Sequence, residues 1–170
     1  SNLCRPKQTH TNIVRDIADG DEGIYNKKFY DVDGLITDKR NKALVFCFAD
    51  CTPLLFFDPI KEVIANVHSG WKGTVQMIGK KTVGKMVKDY NCNPKDIICC
   101  IGPTIRQCHF QVEKDVKDLF MQAFNDESII KVGKVVDGKQ KYYIDAVKAN
   151  INMMKSCGLK EENIIDSGIC

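Results

Sequence analysis

The sequence predicts one α/β or α+β domain, and three observations predict it. Short apolar runs of strand length alternate along the chain with longer segments whose apolar residues recur at helical spacing. The composition, 44% hydrophobic and 28% charged over 170 residues, is that of an ordinary globular chain. No repeat and no low-complexity linker divides it, so residues 1–170 are read as a single domain. A chain of this length buries roughly 70% of the surface its unfolded form exposes. Its core therefore needs no metal, and any metal present is expected to be functional.

The apolar runs at residues 43–49, 54–57 and 97–101 are too short for buried helices and are bounded by polar residues or proline. They read as strands buried on both faces. Residues 62–68 alternate less cleanly and form a fourth strand, leading into the loop Ser69-Gly70-Trp71-Lys72-Gly73. From Thr74 the period becomes helical. Val75, Ile78, Val83, Met86, Val87 and Tyr90 share one face, with Lys80, Lys81, Lys85 and Lys88 off it, and Asn91-Cys92-Asn93-Pro94 ends the helix. A second amphipathic helix carries Val112, Val116, Leu119, Phe120, Ala123 and Phe124. A turn region at residues 133–138 and the short strand Tyr142-Tyr143-Ile144 precede a third helix, marked by Ala146, Val147, Asn150, Ile151 and Met154 and stopped at Gly158. Residues 163–170 read as the start of a further strand, and the chain opens on Ser1 rather than Met. Both ends are expected to be cut from something longer.

Charge and cysteine usage narrow the function classes. The net charge of +3 comes from scattered lysines, the densest pairs being Lys27-Lys28 and Lys80-Lys81, so a nucleic-acid partner is not expected. No window approaches the ~18 apolar residues of a membrane span. Several of the nine cysteines lie inside apolar runs such as Ile98-Cys99-Cys100-Ile101, where a thiol acts as a small hydrophobe. This usage reads as a reducing, cytoplasmic chain, with no Cys-x-x-Cys to suggest a zinc ribbon or redox motif. Nothing sets the oligomeric state.

Chemistry centres on few residues. Cys51, in Asp50-Cys51-Thr52-Pro53, sits where one strand ends and another begins, and His68 follows after a strand, a turn and a return. Hairpin pairing would bring the two to one end of the same sheet. With His10 as a third donor, two imidazoles and a thiolate match a catalytic zinc site that keeps a position open, at spacings too irregular for a zinc finger. A second reading makes Cys51 a nucleophile with His68 as its base, and the Cys/His pair alone does not distinguish the two. A nucleophile needs an orienting carboxylate or amide, whereas a metal needs another histidine.

Ser69, Gly70, Trp71, Lys72 and Gly73 enter a helix at Thr74 and offer an anion site through exposed N–H groups, close backbone approach and a cation. Arg106, on the turn after a buried strand, can meet a carboxylate or phosphate or simply be solvated. Trp71 stacks on a ring or seals the loop.

Read together, Gln8-Thr9-His10, Asp33-Gly34-Leu35-Ile36-Thr37, Ala49-Asp50-Cys51-Thr52-Pro53, Val67-His68-Ser69-Gly70-Trp71-Lys72-Gly73-Thr74 and Ile101-Gly102-Pro103-Thr104-Ile105 with Cys108-His109-Phe110-Gln111-Val112 resemble a known family. It is the purine nucleoside phosphorylase family once called multicopper polyphenol oxidoreductase or laccase-domain, which includes the bacterial peptidoglycan editing factor. The resemblance implies mixed β-sheets flanked by helices in an αββα-type, cysteine-hydrolase-like fold. It implies a zinc ion on His10, Cys51 and His68, and phosphorolysis of adenosine, inosine, guanosine and S-methyl-5'-thioadenosine to base and ribose 1-phosphate. Adenosine deamination is the implied companion activity, with zinc supplying hydroxide to C6 of the adenine. Purine nucleosides and phosphate are then the partners, and Asp50 or His109 the acid that protonates the leaving base; an equal alternative has Asp50 orient a zinc ligand.

Three departures from the family pattern stand out. Lys72 replaces an arginine, His109-Phe110-Gln111 replaces Cys-Tyr-Glu, and the N- and C-terminal parts of the full family domain have no counterpart here. A true multicopper laccase is excluded by counting, since three histidines cannot build its copper clusters. Weak phenol oxidation by Cu²⁺ at the same donors is a separate expectation. The rival functions are a Cys51/His68 hydrolase or peptidoglycan amidase-type editing enzyme, and a zinc-stabilised binding module.

Overall fold

The computed structural model describes residues 2–24 and 26–170. The described residues form twelve strands and four α-helices. In chain order these are β1 (Leu3–Arg5), β2 (Val14–Asp16), β3 (Gly23–Ile24), β4 (Gly34–Thr37), β5 (Ala43–Leu44), β6 (Thr52–Asp58) and β7 (Val63–Ser69), then α1 (Trp71–Val75) and α2 (Ile78–Tyr90). There follow β8 (Ile98–Ile101), β9 (Gln111–Val112), α3 (Lys114–Phe124), β10 (Ile130–Val136), β11 (Lys139–Ile144), α4 (Ala146–Ser156) and β12 (Ile164–Asp166).

The centre is a six-stranded sheet in the order β12-β8-β6-β7-β4-β2. Pairing is antiparallel for β6 with β7 and β8 and for β4 with β7, and parallel at both edges, so the sheet is mixed. Helices α2 and α4 cover one face. Ile78, Val83 and Met86 of α2 and Val147, Met153 and Met154 of α4 pack with Leu54, Phe56, Ala65 and Val67 of the sheet in the main core. Leu35 of β4 joins a second core with Cys4, Ile17, Phe29, Val32 and Phe46, which belongs to the small parallel sheet β3-β1-β5 and its connections. A third core, including Val112, Phe120, Ile129 and Ile144, joins α3 to the antiparallel sheet β10-β11-β9. This is the mixed α/β arrangement that the alternating strand and helix patterns predict.

Several elements differ from the expectation. Of residues 43–49 only Ala43–Leu44 is strand, and Ala43, Cys47 and Ala49 are exposed. The run lies at the edge of a small sheet, where Phe46 alone turns fully inward. β6 is not buried on both faces, because Leu55 and Phe57 are 42% and 43% exposed while Leu54 and Phe56 are buried, the alternation of a one-sided strand. β8 follows the same alternation. The helix expected from Thr74 is two helices, split where Met77 adopts left-handed φ of 62°. Residues 133–136 belong to a strand, and the reversal is confined to Asp137 and Gly138, both at positive φ as a tight hairpin turn requires.

Candidate metal centre

The β6–β7 hairpin sets the site. Its register opposes Pro53 to His68 and Thr52 to Ser69, so Cys51, one residue before β6, lies at the end of the sheet where His68 emerges. Asp50 turns the chain there at φ 70°, and its carbonyl accepts hydrogen bonds from the Thr104 hydroxyl (2.8 Å) and the Ile105 N–H (3.0 Å). The turn carrying Cys51 is thereby held against the loop after β8.

His10 arrives from the loop between β1 and β2, and a single carboxylate positions it. Asp33, fully buried just before β4, accepts at Oδ1 from the His10 N–H (3.1 Å) and His68 Nδ1 (2.8 Å). At Oδ2 it accepts from the N–H groups of Thr9 (3.3 Å) and Thr11 (2.7 Å) and from the Thr11 hydroxyl (2.8 Å). One side chain thus fixes both the loop that bears His10 and the ring of His68. With Nδ1–H given to Asp33, His68 keeps Nε2 for a metal or a thiol.

The donors converge. His10 Nε2 is 3.7 Å from Cys51 Sγ, and one donor atom from each of His10, Cys51 and His68 lies within 4.8 Å of the others. Tetrahedral zinc, with Zn–S about 2.3 Å and Zn–N about 2.0–2.1 Å, separates S and N ligands by roughly 3.6 Å. The donor set fits. Gly70 is needed beside it, because a Cβ there would stand 2.8 Å from His10 Cδ2 and 3.2 Å from Cys51 Sγ.

The electrostatics follow from burial and hydrogen bonding. Burial opposes charge on His68, but its hydrogen bonds to Asp33 and Cys51 outweigh this and push its pKa up to about 9. Burial also raises the Asp33 carboxyl, yet the bonds from His68 and Thr11 prevail and hold it below the ordinary carboxylate range. In the metal-free protein the pair is a carboxylate with an imidazolium. A bound metal would replace the imidazolium's proton at Nε2.

A cleft of about 200 Å³ opens beside Cys51, lined by Asp50, Cys51, Thr52, Ser69, Trp71, Ile105, Phe110 and Ala146. A wider groove of about 510 Å³ lies elsewhere around Trp71, with Lys72, Val75, Gln76 and Leu119. It contains none of His10, Cys51 and His68, so the smaller cleft, which Cys51 lines, is the one joined to the chemistry.

The structure brings His10, Cys51, His68, Asp50, Ser69, Gly70 and Trp71 together. Ser69 is engaged inward, its hydroxyl 2.9 Å from that of Thr74 and 3.3 Å from Asn150 Oδ1. Gly73 is buried, and a Cβ on it would meet the Thr11 carbonyl at 3.0 Å. Lys72 is exposed with its ammonium 5.6 Å from the Trp71 ring. Arg106 is paired with Asp166, donating from one terminal nitrogen to Oδ2 at 2.8 Å. His109 lies with Cys108 and Cys170 rather than in this cluster. The residue that orients His68 is Asp33, not Asp50. Sequence reasoning passed over Asp33 although it opens the block Asp33-Gly34 that carries part of the resemblance.

Relatives and solved structures agree with this architecture. The chain is 34% identical over 167 residues to the purine nucleoside phosphorylase YlmD of Bacillus subtilis, covering 96% of this chain and 59% of the relative. It is 36% identical over 151 residues to a purine nucleoside phosphorylase of Clostridium acetobutylicum, covering 88% and 58%. It thus spans about three fifths of the length of these relatives. The crystal structure of the hypothetical protein YfiH from Bacillus licheniformis superposes with a TM-score of 0.90 at 28% identity, over 99% of this chain and 64% of that one. YlmD from Geobacillus stearothermophilus gives 0.89 at 27%, over 99% and 63%. A family model described as multi-copper polyphenol oxidoreductase laccase matches residues 1–170, and the chain belongs to that family.

Proposed function

We propose that this chain carries the centre of a zinc-dependent purine nucleoside phosphorylase. Its substrates would be adenosine, inosine, guanosine and S-methyl-5'-thioadenosine, cleaved by phosphate to base and ribose 1-phosphate, with adenosine deamination as a companion activity. The observation that carries this reading is the convergence of His10, Cys51 and His68, clamped by Asp33, with Cys51 also lining the adjoining cleft. Relatives named purine nucleoside phosphorylase support it.

His10, Cys51 and His68 would hold the ion. When bound, zinc supplies Lewis acidity and lowers the pKa of water. Asp33 keeps the His68 proton at Nδ1 and the ring in register. Trp71, Phe110 and Ile105 give the cleft apolar walls suited to a purine ring. In phosphorolysis a phosphate oxygen bonds to the anomeric carbon while the N-glycosidic electron pair leaves with the purine, which takes up a proton. Asp50, on the cleft wall, is the carboxyl proposed to deliver that proton. Of the proposed phosphate contacts, Ser69 and Trp71 line the cleft. Lys72 would reach it by swinging around Trp71, and Arg106 only by leaving Asp166. Cysteines buried as small hydrophobes, such as Cys4, Cys92 and Cys99, support a cytoplasmic setting.

A second reading rests on Asp33 itself. Asp33, His68 and Cys51 also form the carboxylate, imidazole and thiol line of a cysteine hydrolase, since the hydrogen bond that orients a metal ligand also orients the histidine partner of a catalytic thiol. Copper at the same donors would give weak phenol oxidation instead. The deciding experiment incubates adenosine with the full-length, zinc-loaded protein, with and without phosphate, beside Cys51→Ala. Adenine formed only with phosphate, abolished by chelation and absent in the variant, is the expected result. Turnover that survives chelation but not thiol alkylation would overturn zinc in favour of the hydrolase.

A further inference from the structure

A second cluster of soft donors lies apart from the centre described above. His109 Nδ1 is 3.2 Å from Cys108 Sγ and 3.3 Å from Cys170 Sγ, and the two sulfurs are 3.9 Å apart. All three residues are exposed. Among the described residues this is the one other group of three or more metal-ligating side chains whose donor atoms converge within 4.8 Å.

Two segments distant in sequence build the cluster. In the loop after β8, the N–H groups of His109 and Phe110 both donate to the Arg106 carbonyl, at 2.9 and 2.8 Å, closing the turn that bears Cys108 and His109. The segment after β12 carries Cys170. It is tied down by Ser167 N–H to the Ile101 carbonyl (2.9 Å) and by Thr104 N–H to the Ile169 carbonyl (3.3 Å). Arg106 straps the two together, donating to the Asp166 carboxylate at 2.8 Å and from Nε to the Ile169 carbonyl at 3.4 Å. The guanidinium that the sequence offers to a carboxylate, a phosphate or solvent thus holds two cysteines and a histidine in one place.

The edges of the triangle indicate its use. A disulfide would need the sulfurs at about 2.05 Å and would leave the imidazole without a part. Tetrahedral zinc with Zn–S about 2.3 Å and Zn–N about 2.0–2.1 Å sets S···S at roughly 3.8 Å and S···N at roughly 3.6 Å. The edges of this triangle lie within a few tenths of an ångström of these. Two thiolates with one imidazole are a donor set known for open zinc sites, and thiolates select soft metals over magnesium or calcium. Cys108 also lines an open cavity of about 370 Å³ with Gln107, Lys131 and Tyr143. We infer that Cys108, His109 and Cys170 form a second site for a thiophilic divalent cation of the zinc class, independent of His10, Cys51 and His68.

The test is metal titration of the full-length protein, reduced and stripped of metal, with zinc for stoichiometry and cobalt(II) for the thiolate absorption band. Wild type should bind two equivalents per chain. The double variant Cys108→Ser/Cys170→Ser and the variant His10→Ala should each bind one. Two of the three thiolates belong to the second site, so the double variant should lose about two thirds of the cobalt–thiolate absorption. Should a variant fail to fold, alkylation of wild type gives the same answer. Zinc must protect Cys108 and Cys170 while Cys47, an exposed thiol outside both clusters, stays reactive. A single equivalent in wild type that the double variant retains, an unchanged count in the double variant, equal alkylation with and without zinc, or a Cys108–Cys170 disulfide persisting in reductant would each overturn the inference.

Discussion

Asp33→Asn preserves the size of the side chain and removes its charge. The native carboxylate accepts at Oδ1 from His10 N–H and His68 Nδ1, and at Oδ2 from Thr9 N–H, Thr11 N–H and the Thr11 hydroxyl. An amide has one acceptor oxygen and an NH₂ that only donates. Whichever way it is turned, the nitrogen confronts at least two N–H donors in a site with no access to water. Each buried donor left unsatisfied costs about 1–3 kcal/mol, so the metal-free variant should be destabilised by about 3 kcal/mol, near the lower end for breaking a buried ion pair. His68 also loses the bond that fixes its tautomer. Zinc affinity should fall about 10–100-fold, as for other residues that orient a metal-bound histidine, equivalent to about 1.4–2.7 kcal/mol. Competition against a chromophoric chelator at pH 7 and urea unfolding of the stripped protein measure the two effects separately. Zinc affinity within twofold of wild type, in a variant that folds, would refute the role given to Asp33.

The pair also predicts a pH dependence for the metal-free protein. His68 has its folded pKa raised to about 9. Its contribution, of order 3 kcal/mol, is complete below about pH 6.5 and lost as pH rises through 9. Asp33 is lowered, so its contribution is present above the unfolded carboxylate pKa of about 3.8 and lost as pH falls through its folded value. Urea unfolding in the presence of chelator should therefore show stability falling from pH 6.5 to 9.5, and the slope should disappear in His68→Gln. Gly70→Ala should displace His10 or Cys51, lowering zinc affinity at least tenfold while the fold persists by circular dichroism; unchanged affinity would show the crowding to be absorbed elsewhere. Leu54→Ala, in the fully buried centre of the main core, should cost about 2–5 kcal/mol in thermal or urea unfolding, and a loss under 1 kcal/mol would contradict the packing described.

Much of this was legible in the sequence because it is local. The hairpin that joins Cys51 to His68 could be read from two apolar runs and the turn between them, and α3 and α4 from their amphipathic spacing. What was not legible depends on residues far apart in the chain. Asp33 looks like any acid before a glycine until the fold buries it against His10 and His68. Residues 43–49 have a core-like composition, yet their place at the edge of a three-stranded sheet leaves alternate side chains exposed. The break at Met77 carries no proline signal; a single left-handed residue interrupts an otherwise continuous helical period there. Arg106 was rightly read as available to an anion at a turn, but the anion it meets is Asp166 from a strand some sixty residues away.

The Asp33 clamp has a consequence for the order in which the molecule assembles. β6 and β7 are joined by a short turn, and hairpins of this kind form in about 1–10 μs, so Cys51 and His68 meet early. His10 and Asp33 enter only when β4 adds to β7 and the preceding loop closes over it, steps that must overcome a larger loop-closure entropy and are slower. On this order of loop closure, a refolding chain is expected to bring two donors together before the third arrives. Metal present throughout would be held weakly at first and tightly only at the last step, making high-affinity binding a clock for the completion of the fold.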